Sequence, residues 1–149
     1  MSDPLNRLTR LVLVDDDPSM VRLLTKIIRQ SFSEGVEITS FTDPEEAKEW
    51  IETKIVDVLI TDLEMPGVDG LELLRCAKQR NAFTQVLFIT GNSSLGALTD
   101  ALEFGATDYL LKPIDQEELV EFIRHVQQRQ RRWAVALAKT IASQTASAR

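Results

Sequence analysis

The sequence predicts an α/β fold in which helices cover both faces of a five-stranded parallel sheet. Short β-branched and aliphatic runs alternate along the chain with longer stretches whose apolar residues recur at helical spacing. One of these runs, which ends at Thr61, is apolar throughout, as expected of a strand buried on both faces. Because consecutive parallel strands need crossover connections, strands that alternate with helices indicate a parallel sheet.

The predicted strands are short and are each bounded by turn residues or by a helix cap. They are Leu11–Val14, Val36–Phe41, Val58–Thr61, Gln85–Thr90 and Tyr109–Leu111. Right-handed crossovers leave few ways to order five parallel strands, and the flavodoxin-like order 2-1-3-4-5 is the commonest. The sequence therefore predicts that sheet.

The helices between the strands begin at residues that commonly cap helices. Asp17 precedes Pro18, Asp43 precedes Pro44, and Ser94 and Asp115 precede the last two helices. The third helix is predicted over Val68–Arg80, and Gly105 ends the fourth.

The composition indicates one globular domain. The chain has 149 residues, of which 44% are hydrophobic and 27% charged, and the sequence shows neither a membrane-length apolar run nor a signal peptide. Its single cysteine, Cys76, has no partner for an internal disulfide. A cytoplasmic location is therefore expected.

Charge divides the chain into two chemically different parts. The net charge of −6 combines −12 over residues 1–123 with +6 over residues 124–149, where no acidic residue occurs. The body is too acidic to bind nucleic acid directly. We accordingly expect a polar N-terminal segment (residues 1–8), a domain over residues 9–126 and a basic helical extension over residues 127–149.

The extension carries apolar residues at the spacing of a coiled-coil seam. The seam positions are Leu119, Ile123, Val126, Gln130, Trp133, Leu137 and Thr140. We interpret the extension as a helix for self-association or for docking a partner, with Gln130 as a polar residue that sets the register. A frayed end, or a helix folded back on its own domain, are the alternatives.

Polar side chains follow four of the five strands. Asp15, Asp16 and Asp17 follow the first strand, Asp62 the third and Lys112 the fifth, and Thr90 closes the fourth. The carboxyl ends of parallel strands share one edge, so these groups should converge there. Crowded carboxylates repel one another unless a hard cation such as Mg²⁺ neutralises them. With a hydroxyl and an ammonium beside them, they suit phosphoryl transfer to an aspartate.

Four stretches, LVLVDDDPS, LITDLEMPGVDG, VLFIT and YLLKP, make the chain resemble the receiver domain of two-component response regulators. The similarity covers roughly residues 9–126, and the plan is close to that of the single-domain chemotaxis regulator. The resemblance implies a chain that takes a phosphoryl group from a sensor histidine kinase or a histidine phosphotransfer protein. It implies a phosphorylation switch that relays to a downstream protein, rather than an enzyme with a separate substrate, beyond catalysing its own phosphorylation and dephosphorylation.

The same resemblance assigns roles to individual residues. Asp62 is the phosphoacceptor, and Thr90 and Lys112 contact the phosphoryl group. Asp16 is a direct Mg²⁺ ligand, Asp15 acts largely through water, and Asp62 and the backbone carbonyl of Glu64 complete the protein's ligands. Thr90 and Tyr109 form the switch, and Pro113 follows a cis peptide bond.

Two other classes of protein fit parts of the pattern. A haloacid-dehalogenase-like phosphatase would use Asp15 as the nucleophile, but it needs a further acidic pair on a strand end after the lysine. Here Asp115, Glu117 and Glu118 open a helix instead. A receiver-shaped interaction module that is never phosphorylated is the third possibility. Such modules typically lack an acid, the hydroxyl or the lysine, all of which this chain has.

Overall fold

The computed structural model describes residues 7–91 and 94–148. Five strands form one parallel sheet: β1 (Thr9–Val14), β2 (Val36–Phe41), β3 (Val58–Thr61), β4 (Gln85–Thr90) and β5 (Asp108–Leu111). Five helices connect and follow them: α1 (Pro18–Ser31), α2 (Pro44–Thr53), α3 (Gly70–Arg80), α4 (Leu95–Glu103) and α5 (Gln116–Ser147). The sheet order is β2-β1-β3-β4-β5, which confirms the predicted fold class and strand order.

The sheet separates two hydrophobic cores. Successive strand residues point to opposite faces, so Leu11 and Leu13 pack under α1 and α5, whereas Val12 and Val14 pack under α2, α3 and α4. The central strands β1, β3 and β4 contribute to both cores, which explains their continuous apolar runs. The architecture is therefore a three-layer sandwich, in which the strands end at a carboxyl edge and begin at an amino edge.

The helix starts agree closely with the sequence. The side chains of Asp17, Asp43, Ser94 and Asp115 each accept a hydrogen bond from a backbone N–H in the first turn. The third helix begins at Gly70, two residues later than predicted, because the Asp69 side chain caps it by accepting from the N–H of Glu72.

The last helix, α5, is a single helix of 32 residues, which confirms the predicted extended C-terminal helix. It runs back along the sheet and passes the amino edge, where Gln130 accepts a hydrogen bond from Thr9 Oγ1 at 2.9 Å. Arg129 donates to Gln85 Oε1 at 2.9 Å in the same region. Gln130 therefore contacts its own domain, and its role in setting a coiled-coil register stays a prediction. Neither a frayed nor a folded-back end is observed through Ser147.

The ends of the chain are only partly described. Residues 1–6 of the predicted N-terminal segment, and Arg149 of the extension, lie outside the described residues. Arg7 of that segment pairs with the buried Asp57. Among the helices that the structure describes, none combines the length and the apolarity needed to cross a membrane.

Candidate functional site

Three carboxylates meet at the carboxyl edge of the sheet. Asp15 and Asp16 follow β1, and Asp62 follows the adjacent strand β3, whose Thr61 pairs with Val14. One carboxylate oxygen from each of the three residues lies within 4.8 Å of the others. The predicted convergence of Asp15, Asp16 and Asp62 is therefore present in the structure. Asp17 is not a member of this group, and its side chain caps α1.

Lys112 lies between two of these acids. Its ammonium donates to Asp15 Oδ2 and to Asp62 Oδ2, each at 3.0 Å. β5 ends at Leu111, and the peptide bond between Lys112 and Pro113 is cis, as the resemblance implied. The lysine thus neutralises part of the negative charge that the three carboxylates bring together.

Burial distinguishes the two acids that Lys112 contacts. Asp15 has a side chain only 2% exposed, and its Oδ1 accepts from the backbone N–H of Asp17 at 2.9 Å. The Asp62 side chain is 12% exposed, and within the described ranges its second oxygen accepts only a long hydrogen bond of 3.4 Å, from the N–H of Glu64. Asp62 is therefore the more accessible of the two acids, and one of its oxygens makes a weaker hydrogen bond than the corresponding oxygen of Asp15.

The pKa values of Asp15 and Lys112 are both shifted, by burial and by the contact between the two groups. Burial raises the pKa of Asp15, although the N–H of Asp17 and the ammonium of Lys112 act in the opposite direction. For Lys112, burial alone would lower the pKa, but the hydrogen bonds to Asp62 and Asp15 outweigh it and the net shift is upward. Lys112 therefore stays charged, and a cation near Asp15 is favoured.

Oxygen ligands at this spacing suit a small divalent cation. The donor set consists of carboxylates, and Asp16 is exposed enough to keep a bound ion in contact with water. Mg²⁺ prefers oxygen ligands, binds few carboxylates and keeps several waters. The residues present therefore fit a hard divalent cation. The predicted fourth ligand, the carbonyl of Glu64, belongs to a residue two positions beyond Asp62.

Thr90 and Tyr109 lie on the two strands next to the acids. Thr90 is buried at the end of β4, and its carbonyl accepts from the N–H of Lys112 at 2.9 Å. Tyr109 pairs in register with Phe88, two residues before Thr90. The Tyr109 hydroxyl is buried and has no hydrogen-bond partner among the described residues, and the ring packs against the core beneath α4. Both predicted switch residues are therefore linked to the segment that carries Lys112. Tyr109 lies on β5, which leads to Lys112, and Thr90 accepts a backbone hydrogen bond from Lys112 itself.

One residue of the site was not predicted from the sequence. A Cβ atom placed on Gly70 would lie 2.3 Å from the carbonyl oxygen of Asp62 and 2.8 Å from Cε1 of Phe88. Only glycine therefore allows α3 to start this close to the segment that carries Asp62. The available signal was a glycine immediately after the capping Asp69, a pattern too common to identify the contact.

The acids required by the phosphatase alternative are not in this cluster. Asp115 caps α5 by accepting from the N–H of Glu117 at 2.9 Å. Among the described residues, the only group of three or more acidic, histidine or cysteine ligands is the one formed by Asp15, Asp16 and Asp62. The geometry thus defines an acidic edge with one lysine on a doubly wound parallel sheet, which is the arrangement of a phosphoryl-accepting signalling domain.

Comparison with known proteins identifies the family. Residues 11–124 match the model of the response regulator receiver domain, and the chain belongs to that family of two-component signalling proteins. The DNA-binding transcriptional regulator NtrC of Klebsiella pneumoniae is 38% identical over 122 residues, which are 79% of this chain and 25% of NtrC. The transcriptional regulatory protein TrcR of Mycobacterium tuberculosis is 36% identical over 115 residues, covering 77% of this chain and 44% of TrcR.

Solved structures show the same fold. A CheY-like response regulator receiver domain protein from Methanospirillum hungatei JF-1 superposes with a TM-score of 0.76 at 27% identity. The match covers 84% of this chain and 98% of that one. By contrast, the chain spans about a quarter of the length of the NtrC relatives that it matches. The shared part is thus the receiver domain.

Proposed function

We propose that the chain accepts a phosphoryl group on Asp62 from a phosphohistidine of a sensor histidine kinase or a histidine phosphotransfer protein. The observation that supports this most directly is the contact of Lys112 with both Asp15 and Asp62 at 3.0 Å, beside a third carboxylate. Asp62 is the acid with a weakly engaged oxygen, and it lies at the open edge of the sheet.

In this reaction an oxygen of Asp62 attacks the phosphorus, an O–P bond forms, and the P–N bond to the donor imidazole breaks. The departing imidazole nitrogen keeps the bonding electron pair and takes up a proton. Asp15, Asp16, Asp62 and the Glu64 carbonyl would hold Mg²⁺, which supplies positive charge to the phosphoryl oxygens. Lys112, whose ammonium donates to Asp62 in the unphosphorylated protein, would donate to a phosphoryl oxygen instead, and Thr90 would donate its hydroxyl to another.

We further propose that this event is relayed through Thr90 and Tyr109. Phosphorylation would give Thr90 a new acceptor. Tyr109 lies beside Phe88 on the neighbouring strand, and its buried hydroxyl bonds to none of the residues described. A change at Thr90 would bias the position of Tyr109, as expected of a two-state element that a local charge controls. Hydrolysis of the acyl phosphate by water on the same site resets the switch, so no separate substrate is consumed.

The remaining assignments belong to the same proposal. Residues 9–126 act as the receiver domain, residues 127–149 act as a basic helical extension that docks a downstream protein or a second copy, and residues 1–8 are a polar lead-in. A cytoplasmic location fits a chain with one cysteine and a kinase as its partner. The acidic body does not bind nucleic acid directly.

The proposal is tested by phosphorylation with a small acyl phosphate and Mg²⁺, followed by intact-mass analysis and peptide mapping. The expected result is one phosphoryl group on Asp62, with none on Asp62→Asn. A label that persists on Asp15 in the Asp62→Asn variant would favour the phosphatase alternative. Absence of any adduct, together with failure of beryllofluoride and Mg²⁺ to bind, would identify an interaction module that is not phosphorylated.

A further inference from the structure

The far end of α5 carries an apolar stripe that the described residues of its own domain do not cover. Among the described residues, the last hydrogen bonds between the helix and the domain lie at the amino edge of the sheet, where Arg129 donates to Gln85 and Gln130 accepts from Thr9. Beyond them the side chains of Trp133, Leu137 and Ile141 are 63%, 59% and 62% exposed. At about 1.5 Å per residue, the helix from residue 131 to Ser147 projects about 25 Å past the sheet.

The stripe continues the face with which α5 covers its own domain. Eighteen residues make five full turns of an α-helix. Leu137 therefore projects from the same side of the helix as Leu119, and Ile141 from the same side as Ile123. Trp133 follows Val126 by seven residues, close to two turns. Leu119, Ile123 and Val126 are buried against the sheet. The stripe therefore lies on the sheet-facing side of α5 and faces the space just beyond the amino edge of the sheet.

The basic residues that follow Arg129 in the described part of the extension lie on the other side of the helix, whereas Arg129 itself donates to Gln85 of the domain. Arg131, Arg132 and Lys139 are each rotated by roughly 120° or more from Leu137 about the helix axis. An acidic surface or a lipid headgroup layer that covered the stripe would consequently not meet these cations. A second copy of the same helix fits this placement, because pairing through the stripe leaves the positive charges of both copies in solvent.

The amino edge adds exposed apolar side chains to the same space. Leu8 precedes β1, Ile55 precedes β3 and Phe83 precedes β4, and each is exposed, Phe83 to 82%. Because the amino ends of parallel strands share one edge, these side chains form a rim from which the extension projects. A helix that packs on the stripe and ends at this rim would cover both surfaces.

We propose that two copies associate through their extensions, which pair as antiparallel helices in the space between the amino edges of the two sheets. Parallel pairing would place the second α5 on the stripe side along its whole length, about 8–10 Å from the first helix. Upstream of Gln130 that position is occupied by the first copy's own sheet. In antiparallel pairing, the C-terminal end of the second helix lies at the rim of the first copy. The two domains then lie at opposite ends of the helix pair.

The surface is of the size that a stable dimer requires. The exposed parts of the three stripe side chains and the three rim side chains amount to several hundred Å² per copy, on the order of the ~800 Å² per partner of a standard interface. The arrangement also leaves both acidic edges exposed, since these lie at the far ends of the pair. It makes specific the docking role proposed for the extension and does not depend on phosphoryl acceptance.

The oligomeric state is tested by sedimentation velocity of the full chain over a range of micromolar concentrations. We expect a dimer, and we expect Leu137→Glu to raise the dimer dissociation constant at least about tenfold. Ala142→Glu is the matched control, because it adds the same charge to an exposed residue roughly 140° away from Leu137 and should leave the dimer intact. Both substituted side chains lie outside the domain, so an unchanged melting temperature of the unphosphorylated monomer verifies folding.

The direction of pairing is tested by disulfide cross-linking in a Cys76→Ala background. When Leu137 of one copy lies opposite Ile141 of the other, antiparallel pairing also brings Ala134 opposite Gln144. Mixing isotope-labelled Ala134→Cys with unlabelled Gln144→Cys should then yield the mixed disulfide. Parallel pairing would instead give dimers within each variant and would overturn the proposed arrangement.

Three other results would overturn the proposal itself. These are a full chain that stays monomeric at every concentration, a dimer that Leu137→Glu leaves intact, and a monomer that binds vesicles of anionic phospholipid through the stripe. The Asp62 adduct is measured on the same samples, so loss of the dimer and loss of phosphoryl acceptance are distinguished.

Discussion

Gly70 touches the backbone of Asp62 so closely that it has no room for a side chain. A Cβ atom there would lie 2.3 Å from the Asp62 carbonyl oxygen and 3.0 Å from Cα of Leu63. The N–H of Gly70 also donates to the carbonyl of Leu63 at 2.9 Å. The start of α3 thus fixes the position of the segment that carries the proposed phosphoacceptor.

Gly70→Ala is expected to destabilise the fold by about 1–3 kcal/mol, because the added methyl group must displace backbone atoms rather than a flexible side chain. Urea unfolding measures this change. Gly96→Ala is the control, since a Cβ there meets no atom within 4 Å and alanine favours the helix over glycine. Equal stability of the Gly70→Ala variant and the parent would mean that the close contact relaxes without cost.

Replacing Lys112 by methionine should lower the free energy of unfolding by about 1–2 kcal/mol, a value reduced by the partial solvation of the site. Asp15 and Asp62 would then face each other without the ammonium that now contacts both. The added repulsion should also make Mg²⁺ bind more tightly, which calorimetric titration measures. Lys48→Met, which removes an exposed pair with Glu72, should change neither quantity appreciably.

Mg²⁺ is expected to raise the melting temperature of the unphosphorylated protein. An ion that binds only the native state at ten times its dissociation constant adds about 1.4 kcal/mol. Asp16→Ala should abolish the shift, because Asp16 belongs to the cluster and is the proposed direct ligand of the ion. Asp17→Asn keeps a capping side chain outside the cluster, and it should retain the shift. An undiminished Mg²⁺ effect in Asp16→Ala would place the metal elsewhere.

Tyr109→Phe should leave stability unchanged or raise it by up to about 1 kcal/mol, because the lost hydroxyl is buried and has no partner in the part of the chain that the structure describes. Thr84→Val offers the contrasting case. Its hydroxyl is buried and donates to the carbonyl of Val56 at 2.6 Å, so its loss should cost about 1–2 kcal/mol. Thermal unfolding of both variants checks the difference. A clear destabilisation by Tyr109→Phe would show that the hydroxyl is bonded in solution.

At the opposite edge, Asp57 is a buried carboxylate that joins the start of β1 to the start of β3. It accepts from the backbone N–H of Arg10 at 2.8 Å and pairs with the half-exposed guanidinium of Arg7. Asp57→Ala should therefore destabilise by about 2–4 kcal/mol, and Arg7→Ala by less. Phosphorylation of Asp62 in the folded fraction should be unaffected. A loss of that reaction would indicate coupling between the two edges.

The sequence alone determined the sheet and the composition of its acidic edge. Alternating apolar runs and helix caps depend on local periodicity and local hydrogen bonds, so strand order and four helix caps were predicted correctly. The meeting of Asp15, Asp16 and Asp62 was predictable for a related reason. In a parallel sheet all carboxyl ends share one edge, whatever their separation along the chain.

Tertiary structure alone decided the contacts that depend on exact distances between segments. Three such contacts have no periodic pattern in the sequence that could predict them. They are the close approach of Gly70 to Asp62, the burial of Asp57, and the hydrogen bond that Thr9 donates to Gln130. The direction in which Trp133 and Leu137 face is likewise fixed by how α5 packs on the sheet, not by their spacing. Spacing defines a stripe on a helix, but only the packing of that helix decides what space the stripe faces.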